Sequence, residues 1–490
     1  MSTTHARHAL AAVSALVLLA GSAVAQDKAA PAKPKPAQPT TPAKPPAAPA
    51  SPATTPAVSP VPAPATSAQP QDAMGPMNEP LPEDGPYIKL QDIRPYTLRV
   101  RINVFRPRVY DENRKAQPEV PFDFERLTML VPIADRTASA NIDIFRATAS
   151  MRFGDAVIVD GNLNQNATPI AGRPSLLRDR LDGQLFHSGQ FYVSMETEQP
   201  ASVTVAKLAL EVPMTSGNVV FDEKAAMNVD WPKGQWPSVA LSTFLPQMFI
   251  DFGPNIADGT TTAYDMAPIR QLIDQWTNKN PRAVKPVYLA KFLAGEVCKY
   301  FQPGSDGYVY NARNFGFEGF RLLGAVEAAK QRRGTDFDMT CLLAAVYRQA
   351  GLPCRVVIGY DEGGTQVTTG DPALSSPRKR RARAWVEFAL YDEPNKTFNW
   401  VPVDVVGLRR ASSRPPAITQ AWKCFGTQDE FRGLLPISYH FHPPTTVRSY
   451  GSPGLWGWLV IPAPPEVAAQ GIEFDGFESS RRPDDKKKTR

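Results

Sequence analysis

Few side chains in this sequence could carry chemistry. Cys298, Cys341, Cys354 and Cys424 supply its only thiols, and a thiol becomes a nucleophile where a neighbouring cation or a helix N-terminus lowers its pKa. Neither Cys298 nor Cys424 has a histidine at a suggestive spacing. Leu342, Leu343 and Val346 surround Cys341, which reads as a buried structural thiol. Free buried thiols are expected throughout, since four scattered cysteines are too few to frame a chain of this size. Apart from His5 and His8, the histidines are His187, His440 and His442. His440-Phe441-His442 places two imidazoles on one side of a strand, which can suit a metal, but no third ligand is evident and Pro443-Pro444 follows directly. No metal and no cofactor is expected. The run Arg378-Lys379-Arg380-Arg381 reads either as a solvated loop or as a means of capturing an anionic ligand such as an acidic polymer. Trp385 and Trp400 are candidate ligand platforms, though aromatics in such runs more often belong to a core.

The elements that must position these groups change period along the chain. Between Tyr87 and about Pro254 the apolar residues alternate, as in Tyr96 to Val104, Leu127 to Pro132 and Ser202 to Leu210, and Gly, Asn and Pro punctuate the runs. These are strands of a β-sandwich-like domain. After Gly259 the period becomes helical. Ile269, Leu272, Ile273 and Trp276 share one face, as do Leu289, Phe292, Leu293, Val297 and Tyr300. A run from Phe320 to Lys330 leads into a helix over Asp338 to Ala350, stopped by Gly351-Leu352-Pro353. Three strands follow, Arg355 to Tyr360, Ala384 to Leu390 and Trp400 to Asp404. Helices followed by an antiparallel sheet define an α+β unit.

Within that unit four segments stand in a particular order. Gly334-Thr335-Asp336-Phe337-Asp338 precedes a helix that ends Arg348-Gln349-Ala350-Gly351-Leu352-Pro353-Cys354-Arg355; then come Val357-Ile358-Gly359-Tyr360, Ala384-Trp385-Val386-Glu387 and Trp400-Val401-Pro402-Val403-Asp404. From Thr261 to Val406 the chain thereby resembles the transglutaminase-like (papain-type) core, whose segments read G-x-C before the helix, R-x-x-G-I/L-P-A/C-R after it, then H-A-W-V/C-E and W-x-P-x-D. The resemblance implies a Cys activated at a helix N-terminus, a His paired with it and an Asp orienting the His. The Cys position falls on Asp336 and the His position on Arg383, while Asp404 matches. Cys341 lies further along the same helix, about 140° round from Asp336 at ~100° per residue, and cannot stand in. The exchange is paired. Cys and His form an ion pair in the active enzymes, and Asp336 with Arg383 would form a permanent one, with Asp404 on the other side of the guanidinium. Arg cannot serve as a general base.

The implied protein is therefore a catalytically inactive transglutaminase-like module whose cleft binds a peptide, a protein or a cell-envelope polymer. Its cleft candidates are Asp336, Arg383, Asp404, Trp385 and the basic run Arg378, Lys379, Arg380 and Arg381. Two alternatives are acyl transfer or peptide hydrolysis through another nucleophile, and a hydrolase built on the carboxylates of Asp336 and Asp404. For the second, an intervening Arg leaves the pair without a proton donor.

Residues 1–25 read as a cleaved secretory signal peptide. A basic start leads to an apolar run from Ala9 to Ala20 and to Ala23-Val24-Ala25 ahead of Gln26, and the run is shorter than the ~20 residues that span a bilayer. Residues 26–85 are mostly Ala, Pro, Lys, Thr and Ser, which cannot bury a core, so a spacer is expected. The remainder divides into a β-rich domain (86–258), the transglutaminase-like core (259–410), an extension packed on that core (411–472) and a charged, disordered tail (473–490). Net charge is +6, much of it from linker lysines and Lys486-Lys487-Lys488, and carries no nucleic-acid footprint. Export to the periplasm or medium is the expectation.

Overall fold

The computed structural model describes residues 83–106, 120–163, 172–178, 191–244, 249–253, 265–310, 317–362, 382–441, 455–462 and 469–479, with a few isolated positions between them. The signal peptide, nearly all of the linker, the basic run at 378–381, His187 and His442 lie outside the described residues. No described helix is long and apolar enough to cross a membrane.

Alternation builds the N-terminal half. Strand Ile88–Phe105 runs antiparallel to Val205–Phe221 along almost its whole length. Leu98, Val100, Ile102 and Val104 are buried, while Arg99 between them pairs with Glu211 directly opposite at 2.7 Å. Thr148–Phe153 and Ala156–Asn162 extend this sheet. A second sheet orders Gly457–Ile461, Arg126–Ile133, Phe191–Thr197 and Ser175–Arg178. Ile102, Met151 and Leu208 from the first sheet share one apolar core with Met129, Val193 and Met195 from the second. Two sheets sharing one filling make the expected β-rich domain.

The C-terminal segments depart from the expectation that 411–472 packs on the core and that a disordered tail begins at 473. The first part of the extension does pack there: Trp422 lies against Gly295, Phe425 against Phe388 and Phe431 against Trp385, and Leu434–Ser438 joins the core sheet. Gly457–Ile461 pairs with Arg126–Ile133, and Ala469–Glu478 lies along Tyr96–Phe105 of the first long strand. The reason is period two concealed among acids: Ile472 and Phe474 are buried, and Glu473 between them reaches Arg101 at 3.0 Å.

The core is a mixed α+β domain. Its five-stranded sheet runs Glu83–Asp84, Thr397–Val403, Ala382–Asp392, Cys354–Asp361, Leu434–Ser438. Helix Asp336–Gln349 packs against it and is buried from Phe337 through Arg348, as befits a central helix that is apolar nearly all round. Helices Ala267–Thr277 and Pro286–Tyr300 surround it with the predicted faces: Ile269, Leu272, Ile273, Leu289, Leu293 and Val297 are buried, and Trp276 packs edge-on to Tyr300 with centroids 5.5 Å apart.

Candidate functional site

The start of the central helix is fixed by a reciprocal cap. Thr335 Oγ1 accepts from Asp338 N at 3.1 Å, and Asp338 Oδ2 accepts from Thr335 N at 2.8 Å. This capping box satisfies two donors that would otherwise be orphaned. Asp338 Oδ1 also accepts from Leu323 N and Gly324 N, at 2.7 and 3.2 Å. Burial pushes the Asp338 carboxyl upward in pKa against the pull of those hydrogen bonds. Gly324 (φ +79°) is required at this junction, since a Cβ there would stand 2.4 Å from the Phe252 carbonyl carbon. With its beginning so held, the helix places Asp336 as its first residue, in the lining of a cleft. The sequence reading started this helix at Asp338; the Thr335 cap moves the start forward.

Asp336, Arg383 and Asp404 all line that cleft, a small solvent-open space of about 30 Å³. Asp404 follows strand Thr397–Val403 and caps helix Val405–Ala411, its Oδ1 accepting from Gly407 N at 2.8 Å. Its Oδ2 accepts from Arg383 Nη2 at 2.7 Å. Glu430 and Asp361 flank Arg383 at 3.6 and 3.9 Å. Burial would lower the Arg383 pKa, but these carboxylates, Asp404 foremost, outweigh it and the net shift is upward. The guanidinium stays charged and can only donate.

One expectation needs revision. A single Arg383 was to bridge Asp336 and Asp404, but the structure holds Asp336 with a different guanidinium, Arg410 Nη2 at 2.6 Å from Asp336 Oδ2. Arg410 sits in the last turn of helix Val405–Ala411. No motif in the sequence marks it.

The remaining motif residues are architectural. Trp385 is 1% exposed and does not line the cleft. Two residues further into the sheet than Arg383, its ring lies over Gly359, where a Cβ would come within 2.9 Å, and against Phe431 at 5.0 Å between centroids. Its Nε1 donates to Glu387 Oε1 at 3.1 Å. Glu387 Oε2 takes Arg355 Nε and Nη2 at 3.0 and 2.8 Å, while Oε1 also accepts from Ala138 N of the β-rich domain at 2.9 Å. Arg355 lies between the rings of Trp400 and Tyr439, 4.3 and 4.4 Å from their centroids. These residues join the two domains and leave Trp400 stacked on an internal cation rather than on a ligand.

All four cysteines are free. Burial pushes Cys298 and Cys354 up to about 12 and Cys341 well above its ordinary value. Cys424 is half-buried near Asp404 and is pushed up to about 11, chiefly by burial and then by that carboxylate. The described thiols therefore lack the lowered pKa of a nucleophile. His440 is buried, its Nε2 3.0 Å from Tyr192 Oη. No group of three or more potential metal ligands occurs among the described residues.

With this geometry in place, the similarity to known proteins becomes concrete. Residues 299–405, which include the capped helix, the Arg383 strand and Asp404, match the transglutaminase-like superfamily. The core is a transglutaminase-like α+β domain. Among solved structures the chain is similar to a candidate cysteine protease from Cytophaga hutchinsonii, at 11% identity and a TM-score of 0.41, covering 81% of this chain and 94% of that one. It is also similar to the periplasmic domain of TgpA from Pseudomonas aeruginosa bound to ethylmercury, at 14% identity and a TM-score of 0.23, covering 63% and 89% respectively. No curated protein matches the chain.

Proposed function

We propose that this is an exported, non-catalytic transglutaminase-like protein that uses its cleft to hold a peptide or a cell-envelope polymer. One observation carries the reading. The two positions where the family keeps a reactive Cys and His hold Asp336 and Arg383, each in a charge-assisted pair, with Arg410 and Asp404 respectively. A carboxylate is a poor nucleophile for acyl transfer, and a guanidinium does not take up the proton a general base must accept. The raised pKa values of the cysteines favour no substitute thiolate. A hydrolase resting on Asp336 and Asp404 gains no support either, because each carboxylate is already engaged by an arginine.

The test has two arms. The wild-type protein is expected to show neither glutamine acyl transfer nor peptide hydrolysis, and turnover abolished by Asp336→Asn would sink the proposal. Asp336→Cys combined with Arg383→His restores the family's residue types at these positions, and iodoacetamide at neutral pH is expected to label residue 336. Export is checked separately: the protein recovered outside the cytoplasm is expected to begin at Gln26.

A further inference from the structure

One buried cation takes no part in lining the cleft. Lys291, in helix Pro286–Tyr300, is 0% exposed. A buried ammonium persists only where its charge is paired and its protons are taken up. Here Glu223 supplies the carboxylate and Gln420 O accepts from Nζ at 2.5 Å. The rings of Trp422 and Phe425 face the same charge, with centroids 5.1 and 5.8 Å from Nζ, an arrangement in which the ring quadrupole attracts a cation. Three of these four partners belong to one stretch of chain, residues 420–425. The lysine fastens that stretch to the helix.

From there the stretch runs between the two domains. Asp404 N donates to Cys424 O at 3.0 Å and Gly426 N to Pro402 O at 2.8 Å, which ties it to the end of strand Thr397–Val403 and to Asp404 itself. Gln428 then exchanges backbone hydrogen bonds with Val219 at 2.8 and 3.0 Å, and Thr427 Oγ1 accepts from Phe221 N at 3.1 Å. Both partners lie on the long strand Val205–Phe221 of the β-rich domain. Gly426 (φ +69°) makes the crossing, where a Cβ would stand 2.1 Å from the Phe221 ring. Two residues past Gln428, Glu430 flanks Arg383 at 3.6 Å. One segment therefore touches both members of the Arg383–Asp404 pair and is hydrogen-bonded to the other domain.

We infer that residues 420–430 form a strap, clasped by Lys291, through which the long strand of the β-rich domain sets the position of the Arg383–Asp404 pair. Displacement of that strand pulls on Gln428 and, through Phe425 and Cys424, on Asp404. With the clasp released, the strap yields instead. The device does not depend on what the cleft binds or on whether it turns anything over.

Cys424 reports on the strap, because a Cβ at Gly407, in the first turn of helix Val405–Ala411, would stand 3.0 Å from its Sγ. The experiment follows iodoacetamide labelling of each cysteine in the intact protein at pH 8 by mass spectrometry. Lys291→Met keeps the length of the side chain but leaves Gln420 O without its donor, and is expected to raise the Cys424 rate about tenfold. Glu223→Gln, at a side chain 20% exposed, keeps a neutral acceptor and is expected to raise it about threefold, as for a charge-assisted bond made neutral. Cys298, Cys341 and Cys354 are expected to label no faster in either variant. Two truncations read the link to the β-rich domain. Phe221→Ala removes the ring at the crossing, whereas Met151→Ala is a comparable cut on a neighbouring strand of the same sheet, away from the strap; both leave core cavities. Only Phe221→Ala is expected to speed Cys424, by about fivefold or more. An unchanged Cys424 rate in Lys291→Met or Glu223→Gln, a rise shared by all four thiols, or equal effects of Phe221→Ala and Met151→Ala overturns the inference. Should Lys291→Met fail to fold, Glu223→Gln decides the clasp by the same criterion.

Discussion

The molecule uses the same arginine–carboxylate pair in two environments. In the frame of the core, Arg348 Nη2 lies 2.5 Å from Asp251 Oδ1 with both side chains almost wholly buried, and Arg355 clasps Glu387 at 6% and 0% exposure. At the cleft, Arg383 and Arg410 make bonds of similar length but with access to water. Bond length does not separate the two sets. Solvent does. Removing one partner of a buried pair strands a charge in a medium that cannot solvate it, whereas an exposed pair exchanges partners at little cost. The frame thus determines shape, while the pairs at the cleft stay within reach of water.

Mutations can break this contrast in graded fashion. Asp251→Ala leaves Arg348 buried and unpaired and is expected to cost about 3–5 kcal/mol in urea unfolding. Replacing both partners, Arg348→Met with Asp251→Leu, is expected to recover most of that loss; a double variant as unstable as the single would show that the pair itself supplies stability. Arg383→Ala is expected to cost about 1–3 kcal/mol, because Asp404 keeps its bond from Gly407 but loses its cation. Arg410→Ala is expected to move the unfolding midpoint by less than ~1 kcal/mol, and a larger loss would place Arg410 with the frame. The smallest effect is kinetic. Since the Cys424 thiol is pushed up to about 11, little thiolate is present at neutral pH, and iodoacetamide labelling at residue 424 should rise about tenfold per pH unit up to that value. A rate already at its plateau at pH 8 would contradict the assignment.

Much of the core was legible because its signals are local. The helical faces, the Gly-Leu-Pro stop after Arg348 and the strands carrying Arg383 and Asp404 each lie within a short window of sequence, and the resemblance then placed Asp336, Arg383 and Asp404 in one cleft. Arg410 escaped because its partner lies 74 positions away, with no periodicity linking the two. Trp385 was misjudged as a cleft candidate for a different reason: it shares a strand with Arg383, but two residues of rise, roughly 7 Å, separate the rim of a sheet from its packed interior. The return of Ala469–Glu478 to the N-terminal sheet was illegible in principle from a local reading. Strand pairing over such separation depends on which edge remains open after everything else has folded.

That open edge and the short strand Glu83–Asp84 together have a mechanical consequence. Glu83 and Asp84 pair in parallel with Thr397 and Phe398, at the end of strand Thr397–Val403 remote from Asp404, so they lie roughly 20 Å of strand rise from the cleft. A few residues later the chain becomes the long strand held between Val205–Phe221 on one side and Ala469–Glu478 on the other. Tension applied at Glu83 first meets a two-residue pair and then a ladder that must be sheared along its length, with many hydrogen bonds loaded at once. Such tension enters the molecule at the end of the sheet away from Asp336 and Arg383, and the long ladder in the β-rich domain is the part built to bear it.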